Sequence, residues 1–221
     1  MNKSYTIFIS FIVALGGFLL GFDSAVISGA IGGITVYFNM SDWELGFSVG
    51  CVIFGAMVGN IAAGPLSDKY GRKKILIVTA ILFTVSATWS ALATTYATFI
   101  IARIIGGIGI GGAILIAPIY IAEVAPSKLR GSLVSLNQLN IVLGISVAYF
   151  SNYFLKDLEG ESWRWMLGVE AIPAIIYLLA LFTVPRSPRW LIQKLNLVEI
   201  AEKILIKIGG YNYLRAVWTL N

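Results

Sequence analysis

Six long apolar blocks, at about residues 6–27, 44–66, 75–93, 97–121, 132–155 and 165–184, set the terms for this chain. An uncharged run of about 18 residues or more is long enough to cross a bilayer as a helix. In lipid the backbone must satisfy its own hydrogen bonds, so an apolar block of this length is helical. Only 12% of the 221 residues are charged, about half the share usual in a soluble domain. The first block is too long and too glycine-rich for a signal peptide, and no small-residue cleavage site follows it, so it is expected to remain as a span. The fold class that follows is an all-α membrane protein with six transmembrane helices.

The net charge of +5 could suggest a polyanion partner, but its distribution argues otherwise. If the spans alternate, one side receives Lys3, Lys69, Arg72, Lys73, Lys74, Lys128, Arg130, Arg186, Arg189, Lys194, Lys203, Lys207 and Arg215. The other receives Lys156 and Arg164. An excess of Lys and Arg marks the cytoplasmic side, so both termini are expected there, in a multi-pass protein of the cell inner membrane. The basic balance is a topology signal, and no nucleic-acid partner is expected.

Several chemistries drop out. Cys51 is the single cysteine, so no internal disulfide forms; it is expected to serve packing. With no histidine, His-based zinc sites and histidine proton relays are excluded. No Gly-Lys dipeptide occurs, so there is no phosphate-binding P-loop. "GIGIGG" at 107–112 satisfies G-x-G-x-x-G, but it sits inside an apolar run without the preceding strand that a dinucleotide site needs. No enzyme activity, cofactor or metal is expected.

The spans divide into two triplets. Basic stretches punctuate them: "GPLSDKYGRKK" at 64–74, "AEVAPSKLRGS" at 122–132 and "PRSPRWL" at 185–191. Similar punctuation at matching places suggests a repeat of three helices. Residues 1–184 are thus read as one six-span bundle. Residues 185–221 are read as a cytoplasmic segment, with an amphipathic helix in "VEIAEKILIKIGG" that is too short and too charged to span. Gly209–Gly210 is its expected end. Gly55 and Gly59, and Gly107 and Gly111, stand four apart, a spacing that lets helix backbones approach closely in lipid.

Three ionisable residues fall inside spans: Asp23, Arg103 and Glu170. A charge at the bilayer centre costs about 2.5–3.5 kcal/mol on insertion scales, so such groups face a bundle interior or a cavity and usually pair. Asp23 and Arg103 lie in the first span of each triplet, near the pseudo-two-fold axis of an inverted repeat, and are expected to be neighbours. Ionised, Asp23 holds Arg103; protonated, it releases it. That is a proton switch, against the simpler reading of a static ion pair that orients two helices. Glu170 is read either as a second proton site or as a residue at the outer interface. Asn137, Gln138 and Asn140 cluster in the fifth span, where amides suit a hydroxyl-rich solute or a bond to a neighbouring helix.

Taken together, "GFDSAVISG" at 21–29, "GPLSDKYGRKK", "RIIGGIGIGG", "PIYIAEVAPSKLRGSLVSLNQL" and "PRSPRWL" resemble, in order and spacing, the sugar porter family of the major facilitator superfamily. Within it they are most similar to the N-terminal half of bacterial xylose–proton and related sugar–proton symporters. The resemblance extends to about Gly210, after which "YNYLRAVWTLN" no longer looks like the family.

The resemblance implies the N-terminal bundle of the superfamily fold, with its 3+3 inverted repeat. It implies that Asp23 and Arg103 form the proton-coupling pair, and that Gln138, with Asn137 beside it, bonds sugar hydroxyls. It also implies that Asp68, Arg72, Glu123, Arg130 and Arg189 belong to a cytoplasmic charge network that latches two halves together. Arg186 stands where the family has glutamate. Lys69 stands where it usually has arginine. The implied function is sugar:proton symport, with a monosaccharide and protons as substrates. The family has twelve spans, so a second six-span bundle is the expected partner. A fragment, a truncated gene and a natural half-transporter remain open, as do a membrane sugar sensor and an inactive remnant.

Overall fold

The computed structural model describes residues 3–126, 129–158 and 160–218; Lys128, counted among the basic residues above, lies outside them. Among the described residues the elements are all helices: α1 (Lys3–Phe38), α2 (Asp42–Tyr70), α3 (Arg72–Leu92), α4 (Tyr96–Val124), α5 (Arg130–Leu155), α6 (Ser162–Gly168), α7 (Ala171–Thr183), α8 (Pro188–Leu195) and α9 (Val198–Trp218). Six paths are long and apolar enough to cross a membrane: α1 to α5, and α6 with α7 taken together.

Local chemistry sets the helix ends. Ser41 caps α2 by accepting from the Glu44 backbone N–H, while the Glu44 carboxylate accepts from the Ser41 N–H, a reciprocal capping box. Thr95 and Thr98 do the same for α4. α1 runs well past the expected end of its apolar block, to Phe38, because "SGAIGGITVYF" is uncharged and lacks proline. It stops where Asn39 turns to a left-handed φ of 50°, a conformation that asparagine tolerates better than most residues. At the opposite end of the bundle, Gly71 joins α2 to α3 with φ at 92°, open to glycine at little cost.

The sixth span is broken between α6 and α7. Pro173 has no N–H to give the Val169 carbonyl, which accepts from Ile172 at 3.1 Å instead. Glu170 sits at this break.

Two glycine-mediated helix pairs build the bundle. An added Cβ on Gly59 of α2 would lie 2.1 Å from the Ile108 carbonyl oxygen of α4, and one on Gly111 of α4 would lie 2.0 Å from that of Ala56. α1 and α5 meet the same way, through Gly21 against Ile141 and Gly144 against Phe18. Exchanging first with fourth span and second with fifth converts one pair into the other, as an inverted repeat of three helices requires. α1 and α4, the most buried spans, pack against each other on the axis of that exchange.

One expectation is corrected. α9 does not end at Gly209–Gly210 but continues through both glycines to Trp218. A glycine inside a helix costs about 1 kcal/mol relative to alanine, which weakens a helix without ending it.

Candidate functional site

At the centre of the bundle, Asp23 of α1 and Arg103 of α4 form a two-pronged ion pair. Arg103 Nη1 donates to Asp23 Oδ1, and Nη2 donates to Oδ2 at 3.3 Å. Both residues are 3% exposed. The expected proximity is met, and it places two full charges where water does not reach. Arg103 Nε is buried with no hydrogen-bond acceptor, so one nitrogen of the guanidinium is left wholly unpartnered.

Glu170 is 3% exposed, which removes the reading of it as a residue at the outer interface. It lies at the break between α6 and α7, and its carboxylate interacts electrostatically with both Asp23 and Arg103. The buried cluster is therefore two carboxylates and one guanidinium. Cys51 is wholly buried beside them, its thiol donating to the Ser48 carbonyl at 3.3 Å.

The amides of α5 separate. Gln138 is exposed, Asn137 half-buried and Asn140 buried. Asn137 packs on α1, where a Cβ on Gly17 would lie 2.7 Å from its Oδ1. On the adjacent glycine, a Cβ on Gly16 would lie 3.0 Å from the Tyr177 hydroxyl. Asn137 Oδ1 and Tyr177 Oη are both buried without a hydrogen-bond partner. Tyr177 escapes a reading of the sequence, since a tyrosine in a span looks like apolar packing; Gly16, which faces its hydroxyl, was the available signal. Asn152 is a helix tie, donating to the Val26 carbonyl at 3.2 Å.

At the basic end of the bundle, three of the five expected network residues come together. Arg72 bonds Asp68 Oδ1 at 3.0 Å and Glu123 Oε1 at 3.0 Å. Ser187 adds a bond to Glu123 Oε2 at 2.5 Å, and Trp190 Nε1 donates to the Asp68 carbonyl at 2.9 Å. Tyr120 of α4 donates to the Pro185 carbonyl at 2.8 Å, fixing the same turn. Arg130 and Arg189 are exposed and form no ion pair among the described residues. Sequence reading missed Ser187, although Ser-Pro before an amphipathic helix marks an N-cap; Ser187 caps α8 by accepting from the Trp190 N–H.

Comparison with known proteins gives this arrangement a family. The profile described as "Sugar (and other) transporter" matches residues 9–215, so the likeness continues past Gly210, where the sequence had suggested that it ended. The glucose transport protein of Synechocystis sp. (strain ATCC 27184 / PCC 6803 / Kazusa) is 44% identical over 220 residues, covering 95% of this chain and 47% of the relative. The galactose-proton symporter of Escherichia coli (strain K12) is 42% identical over 207 residues, 94% of this chain and 44% of the relative. A solved structure of a major facilitator superfamily proton:xylose symporter bound to 6-bromo-6-deoxy-D-glucose superposes with a TM-score of 0.92 at 38% identity, over 99% of this chain and 53% of that one. The chain spans about half the length of the curated relatives it matches. Those relatives are transporters, not enzymes. The chain is a multi-pass membrane protein that belongs to the sugar porter family of the major facilitator superfamily and matches the N-terminal half of its members.

Proposed function

We propose that this chain is the N-terminal bundle of a proton-coupled monosaccharide transporter and that Asp23 carries the coupling proton. The observation that carries the reading is the buried Asp23–Arg103 pair with Glu170 beside it. Fully ionised, the three groups carry a net charge of −1 in a dry interior. Uncompensated buried charge is costly, and one proton held by either carboxylate cancels it. With that proton on Asp23, Arg103 turns to Glu170 as its counter-ion. When Asp23 releases it, the original pair reforms. The two carboxylates share one exchangeable proton, and Arg103 has two alternative partners, which gives the α1–α4 contact two discrete arrangements.

Gln138 is assigned to the sugar, with Asn137 beside it. An amide offers both donors and an acceptor, matching the hydroxyls of a monosaccharide. The exposure of Gln138 on α5 leaves it available to a solute held between this bundle and a second one. Asp68, Arg72 and Glu123, held by Ser187 and Trp190, form this half's share of a latch at the basic end. Arg130 and Arg189, exposed at that end, are assigned to contacts with the second bundle. Alternating access rocks two bundles around a site at the midplane, so the working unit includes a C-terminal six-span bundle.

The test uses a transporter completed with the C-terminal half of the galactose-proton symporter, in proteoliposomes. Sugar uptake should acidify the lumen when Asp23 is present. Sugar-coupled proton movement that persists undiminished in Asp23→Asn overturns the assignment of the carrier.

A further inference from the structure

The turn joining α2 to α3 and the turn after α7 enclose a cavity of about 230 Å³ at the basic end of the bundle. Arg72, Lys73, Lys74 and Arg186 line it, with Trp190 as an aromatic wall and no carboxylate among the lining residues. Arg72 is already neutralised by Asp68 and Glu123. Lys73, Lys74 and Arg186 have no such partner among the described ion pairs. Lys73 lends one hydrogen to the Phe182 carbonyl at 2.9 Å, leaving two donors of its ammonium free, and its charge faces that of Arg186. The three cations of α3 also occupy its first turn, where the helix dipole is positive and opposes them. Like charges from two separate elements thus line one hole, and the two nearby carboxylates, Asp68 and Glu123, are engaged by Arg72 rather than by Lys73, Lys74 or Arg186.

We propose that this cavity binds the phosphate of an anionic phospholipid. A phosphate offers the charge and the acceptor oxygens that Lys73, Lys74 and Arg186 lack. Position favours a lipid over a soluble anion. The cavity opens where α3 enters and α7 leaves the apolar zone, and Ile77 forms part of its wall. From there the packed α3 and α7 present apolar side chains, Val78, Ile81, Leu179 and Phe182, each 44–61% exposed, which suit an acyl chain. Basic pockets between spans at the membrane surface recognise lipid headgroups in this manner. The site stands apart from the Asp23 cluster and does not depend on the chain's role in sugar transport.

The experiment takes the full 221-residue chain in detergent and measures retained lipid by native mass spectrometry, with thermal midpoints alongside. The probes are phosphatidylglycerol, phosphatidylcholine and inorganic phosphate. The variants are R186E and K74Q, both at exposed positions, with circular dichroism to check helix content. Phosphatidylglycerol should be retained in preference to phosphatidylcholine. That preference should fall about fivefold for each cation removed, and further in R186E, where the charge is reversed. Equal retention of the two lipids by the parent chain overturns the proposal, as does an unchanged preference in both variants. Thermal protection by inorganic phosphate equal to that by phosphatidylglycerol overturns the lipid assignment.

Discussion

Gly59 of α2 and the Ile108 carbonyl of α4 approach so closely that a single added carbon on the glycine would lie 2.1 Å from the oxygen. Backbone, rather than a flexible side chain, fills the space, so the two helices must move apart to admit a methyl group. Gly59→Ala is expected to cost about 1–3 kcal/mol, the usual range for overpacking. Gly50 lies on the same helix with nothing within 4 Å of its would-be Cβ, so Gly50→Ala should leave stability unchanged or slightly raised. Thermal midpoints of the two variants in one detergent decide it; equal midpoints would remove the backbone contact as the support for this helix pair.

The ion pair of Asp23 and Arg103 predicts a separation of two activities. In the completed transporter, Asp23→Asn should lose uphill accumulation, so that internal sugar falls to the external concentration. Exchange of labelled sugar at equal concentrations should continue, because an amide resembles the protonated carboxyl and cannot cycle. Counterflow and gradient-driven uptake, measured on the same vesicles, separate the two. Loss of both together would make the pair a structural element.

Six apolar blocks were enough to read the six spans, because lipid leaves no other use for runs of that length. The contact between Asp23 and Arg103 was also legible, from the expense of a buried charge and from their matching places in the two triplets. Glu170 was half-read. It is buried at the break between α6 and α7, and hydropathy carries no record of which way a side chain at such a break faces. The amides of α5 look alike in sequence, but the α1 contact takes Asn137 and leaves Gln138 exposed. Arg130 and Arg189 were expected in the latch, yet their charges remain in the open, as they would if their partners belong to a second bundle. Ser187 entered because a cap residue also reached a carboxylate.

The network of Arg72, Asp68, Glu123 and Ser187 gives a graded series. The Glu123 side chain is 6% exposed and bonded to both Arg72 and Ser187; Asp68 is 62% exposed. Glu123→Gln should destabilise the bundle by about 1.5–3 kcal/mol, the value of charged hydrogen bonds. Asp68→Asn should cost about 0–1 kcal/mol, as for an exposed pair. Arg189→Ala should cost less still. Thermal unfolding in detergent gives the order, and a larger loss for Asp68 than for Glu123 would reverse the assignment of the central acceptor.

The distribution of Lys and Arg predicts that both ends of the chain face the cytoplasm. Cys51 is wholly buried, so the parent chain offers a silent background for thiol labelling. A cysteine at the exposed Lys74 should resist a membrane-impermeant reagent added to intact cells. A cysteine at Lys156, on the opposite end, should react. The reverse pattern would invert the topology.

The last prediction concerns the bundle on its own. Over their most apolar stretches, α1 and α4 are 61% and 67% buried, but α2 and α5 are only 28% and 22% buried. Their open faces carry Ile53, Phe54, Met57 and Ile61 on α2 and Leu139, Val142, Leu143 and Phe150 on α5. Those side chains would suit lipid. Asn60 and Gln138, exposed among them, would not, since an amide in hydrocarbon lacks hydrogen-bond partners. The faces of α2 and α5 are therefore expected to meet protein, with the polar groups turned toward a solute path. A single bundle has nothing to rock against and no second wall for a midplane site. The 221-residue chain in liposomes with an imposed proton gradient should show no saturable, gradient-driven uptake of labelled hexose or pentose. Co-reconstitution with a separately expressed C-terminal half of the galactose-proton symporter should restore it in part. Saturable uptake by the chain alone would make it a half-size transporter and would require two copies to supply both walls.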